Sequence, residues 1–236
     1  MLRQLQPELL DALPATDPQA IGSRRDLRLI NAWMGNARLT AACLSDASRR
    51  APPRRIVDLG AGDGTFLLQL TRHLPDLPPG IEILLVDRGD ATDDTVVKEL
   101  ATLGFRPRVE RSDALEWLQA ARVEPGTWVV ANLFLHHFDA APLRTLLAVV
   151  AEKASLLCAC EPRRAALPLA ASRLLGLIGA NAVTRHDAVV SVRAGFAGQE
   201  LSAHWPASGH WELRERRAGL FSHLFLAQRG ATEPDV

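Results

Sequence analysis

Tyrosine is missing from this 236-residue chain, and lysine is nearly so: only Lys98 and Lys153 stand against abundant arginine. That bias fits GC-rich coding and says little about function. Cysteine is scarce as well. Cys43, Cys158 and Cys160 are odd in number, and their C-x-C spacing suits neither a disulfide framework nor a zinc ribbon. Cys158 and Cys160 fall on one face of an expected strand, where they read as small core groups. Excess charge of either sign is also lacking. Twenty-seven basic and 27 acidic residues give a formal net charge of +0 and a pI of about 7.1. No long-range field therefore draws nucleic acid or anionic lipid to the chain, and no nucleic-acid partner is expected. Paired arginines (Arg24-Arg25, Arg49-Arg50, Arg54-Arg55, Arg163-Arg164) are scattered and read as solvated faces. No run approaches the ~18 apolar residues of a spanning helix, so stable membrane insertion is not expected. Met1–Gln6 carries no apolar leader, and the expected setting is reducing and cytoplasmic.

A hydrophobic fraction of 47% is ample for one core with an appendage. Its punctuation is most informative at residues 55–65. The apolar run Arg55-Ile56-Val57-Asp58-Leu59 ends in Gly60-Ala61-Gly62-Asp63-Gly64, and the helical pattern Phe66-Leu67-Leu68-Gln69-Leu70 follows. This is a buried strand, a tight turn and a helix start. Alternating glycines let the backbone approach a ligand, and the helix start offers free N–H groups. A cofactor loop is the expectation. Dinucleotide folds use G-x-G-x-x-G, whereas Gly60, Gly62 and Gly64 read G-x-G-x-G with an acid, Asp58, two residues earlier.

The remaining chain alternates. Strands are expected at 55–59, 82–87, 106–110, 127–132 and 154–160, with helices at 64–74, 93–103, 114–121 and 142–152 between them. Pro75 and Pro78-Pro79-Gly80 close the first of these helices. Largely continuous apolar strands imply a sheet covered on both faces. Before the sheet, residues 24–50 read as one or two helices, with Ser23 as a candidate N-cap and Pro52-Pro53 as the stop. After it come an apolar segment (165–179), a helix near 186–196, and two strand-like runs, 211–217 and 220–227, linked at Ala218-Gly219. A short link makes the last two antiparallel.

At this point the chain resembles the class I S-adenosylmethionine-dependent methyltransferases of small-molecule type. Their first motif is acid-x-G-x-G-x-G after strand one, and their sheet ends in a reversed hairpin strand. The resemblance implies an α/β fold with a doubly wound, mostly parallel seven-stranded sheet, an antiparallel last strand and N-terminal helices. It implies a helical cap at 1–53 and a cofactor domain at 54–236 with a lid insertion at about 163–205. S-adenosylmethionine is the implied cofactor. Asp58 would attract its ammonium, with Gly60, Ala61, Gly62 and Gly64 forming the loop. Asp87, ending strand two, would take both ribose hydroxyls. Arg88 would lie over the adenine or be solvated. Asp113 would read the adenine amino group or cap the following helix, with Ala114 packing on the ring. Asn132 would sit beside the sulfonium.

Several residues are candidates for acceptor chemistry. His136 or His137, in Leu135-His136-His137-Phe138 after strand four, would take a proton from an acceptor hydroxyl or else close the site. His186, in Arg185-His186-Asp187, is a further candidate, although neighbours in a helix do not face each other. No [DN]-P-P-[FY] follows strand four, and the acid pair of metal-dependent catechol enzymes is missing, because Asn132 and Glu161 occupy those strand ends. A metal-independent enzyme is therefore expected. The segment 165–179 reads as a core helix, as an apolar lid over an aromatic or lipid-like acceptor, or as a segment that dips into a membrane surface. Methyl transfer to a small apolar or aromatic acceptor, more at oxygen than at nitrogen or carbon, is the leading expectation. A catalytically silent SAM- or nucleotide-binding partner subunit, and an NAD-type dehydrogenase, are the alternatives. Oligomeric state stays open, a dimer included.

Overall fold

The computed structural model describes residues 1–230 apart from 15, 75, 76, 123 and 125. Pro75, expected to help close a helix, lies outside the described residues. The elements run α1 Leu9–Ala12, α2 Pro18–Met34, α3 Asn36–Arg50, β1 Arg55–Leu59, α4 Thr65–His73, β2 Glu82–Asp87, α5 Asp94–Thr102, β3 Arg106–Arg111, α6 Ala114–Ala120 and β4 Thr127–Asn132. A 3-10 turn at Leu135–His137 follows, then α7 Ala140–Lys153, β5 Leu156–Pro162, α8 Ala166–Arg173, a second 3-10 turn at Leu175–Ile178, α9 Ala182–Ala194, α10 Glu200–His204, β6 Trp211–Ala218 and β7 Ser222–Arg229.

One seven-stranded sheet has the order β3-β2-β1-β4-β5-β7-β6. β1 to β5 pair in parallel, and only β7 is reversed, antiparallel to both β5 and β6. The expected fold class holds. The order departs from the six-stranded 3-2-1-4-5-6 arrangement of dinucleotide dehydrogenases.

Period-two alternation divides the core into two layers. Ile56, Ile83, Trp128, Val130, Cys158 and Leu226 face α3, α4 and α5, meeting Leu44, Leu67, Leu70 and Leu100. Val57, Leu84, Val129, Leu157 and Phe225 face α6, α7 and α10, meeting Leu118, Leu143, Leu147 and Leu201. Cys158 and Cys160 share the first face, as their spacing implies.

Several boundaries differ from expectation. Asp17, not Ser23, caps α2: its carboxylate accepts from Gln19 N and Ala20 N, and Pro18 takes the first helical position. Ser23 is buried inside the helix. Gly35, at φ +68°, divides residues 24–50 into two helices. β5 runs two residues later than expected, to Pro162, and α9 begins four residues earlier, capped by Asn181. α10, a five-residue helix at Glu200–His204, matches no expected element. Two strands are not covered on both faces. β3 and β6 are the sheet edges, and four of the six β3 residues are exposed. Their arginines and glutamates suit such edges. The segment 165–179 is no core helix: Leu174, Leu177 and Ile178 are 57%, 82% and 75% exposed. It packs mainly on α9, away from the sheet.

Candidate active site

Strand order reverses at β1, with β2 on one side and β4 on the other, and a crevice opens above the carboxyl ends of such strands. A cavity of about 280 Å³ lies there. Asp58, Gly60, Ala61, Gly62 and Asp63 line it from β1 and its turn, and Thr65, Phe66 and Gln69 from α4. Leu27, Arg28, Asn31 and Asn36 close it from α2 and α3, while Asn132, Leu133, His136 and His137 come from the segment after β4. Glu8 and Ser191 complete the wall from the N-terminal segment and α9.

The glycine turn is held by its neighbour strand. Gly60 N and Ala61 N donate to Val86 O at 2.9 and 3.1 Å. Gly62 N donates to Asp87 Oδ2 at 2.9 Å, and Gly89 N to Asp87 Oδ1 at 2.7 Å. A Cβ on Gly60 would lie 2.2 Å from the Phe134 ring, and φ there is +70°. Gly62, at φ +55°, has no atom within 4 Å of its missing Cβ. Its backbone therefore borders open cavity, as a ligand-cradling turn requires.

Asp58 is the cavity's unusual group. It is 1% exposed, and its Oδ2 has no hydrogen-bond partner. Burial, then the charges of Asp87 and Asp63, pushes its carboxyl well above the usual range. A buried, unpartnered carboxylate oxygen facing a cavity suits a cationic ligand group. Asn31 Oδ1, from α2, is likewise buried without a partner. The far wall is braced: Asn36 Nδ2 donates to Asn132 Oδ1 at 2.9 Å, and Ser222 Oγ donates to Asn36 Oδ1 at 2.7 Å. Leu133 is the only non-glycine residue at positive φ (+54°) among the described residues. The chain bends there as it leaves the sheet, and such strain concentrates at functional sites.

Other expected residues lie beside the cavity rather than in its lining. Gly64 turns the chain at φ +79° and packs against Leu85 and Val96. Asp87 is engaged with the turn backbone, as above. Arg88 pairs with Asp113 Oδ2 through both Nε and Nη2. Asp113 Oδ1 caps α6, accepting from Leu115 N and Glu116 N at 2.8 and 3.0 Å. Burial raises the Asp113 carboxyl, but Arg88 and the cap amides outweigh it and leave it below its ordinary value. Ala114 is buried beneath the sheet.

The histidines divide. His136 is 2% exposed and held at both nitrogens: Nδ1 lies 2.8 Å from Glu161 Oε2, and Nε2 lies 3.4 Å from Glu8 Oε1. Burial works against its charge, but the bonds to Glu161 and Glu8 outweigh it and raise its pKa to about 9. The ring thus keeps its proton at neutral pH and has no free nitrogen to act as a base. Glu161 also accepts from Phe134 N, Leu135 N and His136 N, which anchors the 3-10 turn. His137 is more open, and burial and the neighbouring His136 charge lower its pKa, so its imidazole is neutral near pH 7. His186 lies outside the cavity lining. Its Nδ1 lies 2.9 Å from Asp187 Oδ1, against the expectation that the two do not meet.

Glu8, Arg28, Asn31, Asn36 and Ser191 lie in no motif. They are brought in by docking of the N-terminal segment and α2. Asp187 accepts from Leu9 N and Leu10 N at 2.8 and 2.9 Å, capping α1 across the fold. Arg3 donates to the carbonyls of Ala194, His136 and Phe138.

No family model and no curated protein matches this chain. Solved structures do. The plantazolicin methyltransferase BpumL in complex with SAH superposes with TM-score 0.64 at 11% identity, covering 91% of this chain and 92% of its own. The riboflavin-derivative dimethyltransferase RosA from Streptomyces davawensis gives 0.58 at 18% identity, over 95% of this chain and 62% of its own. The mitomycin 7-O-methyltransferase MmcR gives 0.54 at 19% identity, over 94% and 60%. The fold of this chain is therefore the fold of these methyltransferases.

Proposed function

We propose that the chain is an S-adenosylmethionine-dependent methyltransferase acting on a small apolar or aromatic acceptor, with oxygen as the favoured atom. The observation that carries this reading is Asp58: a buried carboxylate oxygen without a partner, beneath a glycine turn that opens onto a cavity. An ammonium group matches that socket in charge and hydrogen-bonding need. The bound cofactor supplies an electrophilic methyl group on a sulfonium. In this reading Gly60, Ala61 and Gly62 let its tail lie against the turn. Asp87 takes the ribose hydroxyls at the end of β2, and a turn of the Arg88–Asp113 pair offers Asp113 to the adenine above Ala114. Asn132, braced through Asn36, borders the sulfonium. Solved relatives in fold carry SAH, which supports the assignment.

Acceptor selection falls to the cap of residues 1–53 and to the 163–205 insertion. Leu27, Leu133 and Phe66 supply apolar wall, and the cap excludes water, which promotes transfer by alignment. His137, neutral and open to the cavity, receives the acceptor proton. His136 keeps its own and instead fixes the turn through Glu161.

Calorimetry tests the reading. Micromolar binding of S-adenosylmethionine and its demethylated product, with none of NAD, is the expected result, lost in Asp58→Asn. Failure of both ligands to bind sinks the proposal. Binding without transfer from labelled cofactor to a broad hydroxyl-bearing panel would replace it with the silent partner subunit.

A further inference from the structure

We propose that Glu8, His136 and His137 form a transition-metal site, of a type suited to Zn²⁺, in the acceptor half of the cavity. One ligand atom from each of the three lies within 4.8 Å of the others. His136 Nε2 and Glu8 Oε1 are 3.4 Å apart. Two ligands about 2.0–2.1 Å from one tetrahedral ion are separated by about 3.4 Å, so this pair already spans one edge of such a polyhedron. A turn of the His137 ring brings the third donor in.

The surroundings favour coordination. His136 Nδ1 is bonded to Glu161 Oε2 at 2.8 Å, which aims Nε2 at the cluster; coordination there displaces the Nε2 proton to solvent, so the ion binds more tightly as pH rises. Metal-bound histidines usually have such a carboxylate behind them. Glu161 is itself held by the amides of Phe134 and Leu135, so the ring's support does not drift. Ser191 Oγ donates to Glu8 Oε1 and orients that carboxylate. All three donors line the cavity, so a fourth position stays open to water or an acceptor oxygen. Two imidazoles and one carboxylate select Zn²⁺ or Co²⁺ over Mg²⁺, which demands oxygen ligands. This site is separate from the strand-end acid pair considered in the sequence, where Glu161 is consumed by backbone amides. The ion would occupy the His137 lone pair, so His137 would no longer serve as the base; an acceptor hydroxyl at the open position would be made more acidic by the ion and would lose its proton to solvent water. That last consequence rests on the methyl-transfer reading, but metal binding does not.

Untagged protein is stripped with chelator and titrated with Zn²⁺, Co²⁺ and Mg²⁺ by calorimetry, without S-adenosylmethionine. One Zn²⁺ per chain is expected at micromolar affinity or better, with no Mg²⁺ binding. His137→Ala and Glu8→Gln should each weaken it at least tenfold, and Glu161→Gln by about 10–100-fold. Cys43→Ser should leave it unchanged, and the Co²⁺ spectrum should lack a thiolate charge-transfer band. No stoichiometric ion, or an affinity indifferent to His137→Ala in a variant with unaltered circular dichroism, overturns the proposal. Because cofactor binding is measured separately, loss of metal binding leaves the methyltransferase reading standing, and the reverse.

Discussion

Asp58 carries the sharpest residue-scale consequence. Its carboxyl is raised by burial first and by Asp87 and Asp63 next, so the folded chain holds a proton that the unfolded chain has released. Where the folded state binds more protons, stability falls as pH rises from the unfolded value through the folded one. Melting curves of the ligand-free chain should therefore weaken from mildly acidic toward neutral pH, and Asp58→Asn should flatten that slope. At neutral pH the same substitution should stabilise the ligand-free fold by about 1–2 kcal/mol, by removing a carboxyl that must take up a proton on folding. It should also reduce cofactor affinity at least tenfold. Gly60→Ala tests the turn. Its Cβ would meet the Phe134 ring at 2.2 Å from a left-handed backbone, and a loss of about 1–3 kcal/mol in denaturant titrations is expected.

Among the elements, α10 depends on a partner distant in sequence. Glu215 on β6 accepts from Leu201 N at 3.0 Å, Ser202 N at 2.7 Å and the His223 ring at 2.7 Å, with its side chain fully buried. Burial raises the Glu215 carboxyl, but His223 and the Ser202 and Leu201 bonds lower it further, leaving it below its ordinary value. Its contribution is present above the unfolded pKa and lost as pH falls through the folded one. Glu215→Gln should cost about 2–4 kcal/mol at neutral pH, and less in acid, by chemical denaturation. The N-terminal segment is a second such case. Asp187→Asn weakens the cap on Leu9 and Leu10, and amide exchange at those two positions should accelerate while the β4 amides stay protected. Most helices and strands were legible from periodicity and glycine or proline punctuation. The start of α2 was misread because Ser23 is a good cap type, whereas Asp17 precedes a proline that only the folded chain shows at the first helical position. The exposed 165–179 segment misled because apolar content cannot distinguish a buried helix from one that faces solvent.

Across the whole molecule, the cavity joins the glycine turn to a cap drawn from both ends of the chain. A ligand that binds only the folded state adds about 2.7 kcal/mol at a hundredfold excess over its Kd. For a chain of this length that corresponds to a rise of about 5–10 °C in melting temperature. S-adenosylmethionine should produce it in differential scanning calorimetry, and NAD should not. Local chemistry alone determined the sheet, the glycine turn and the acids at strand ends, because strand periodicity and turn stereochemistry act over a few neighbours. Tertiary structure decided what those groups face. Asp58 became an orphan only when α2 and α3 closed over it. His136 lost its role as a free base only when Glu8 and Glu161, 128 and 25 residues away, met its two nitrogens. Charge state depends on burial and on partners across the fold, and neither is set by a residue's neighbours in the chain.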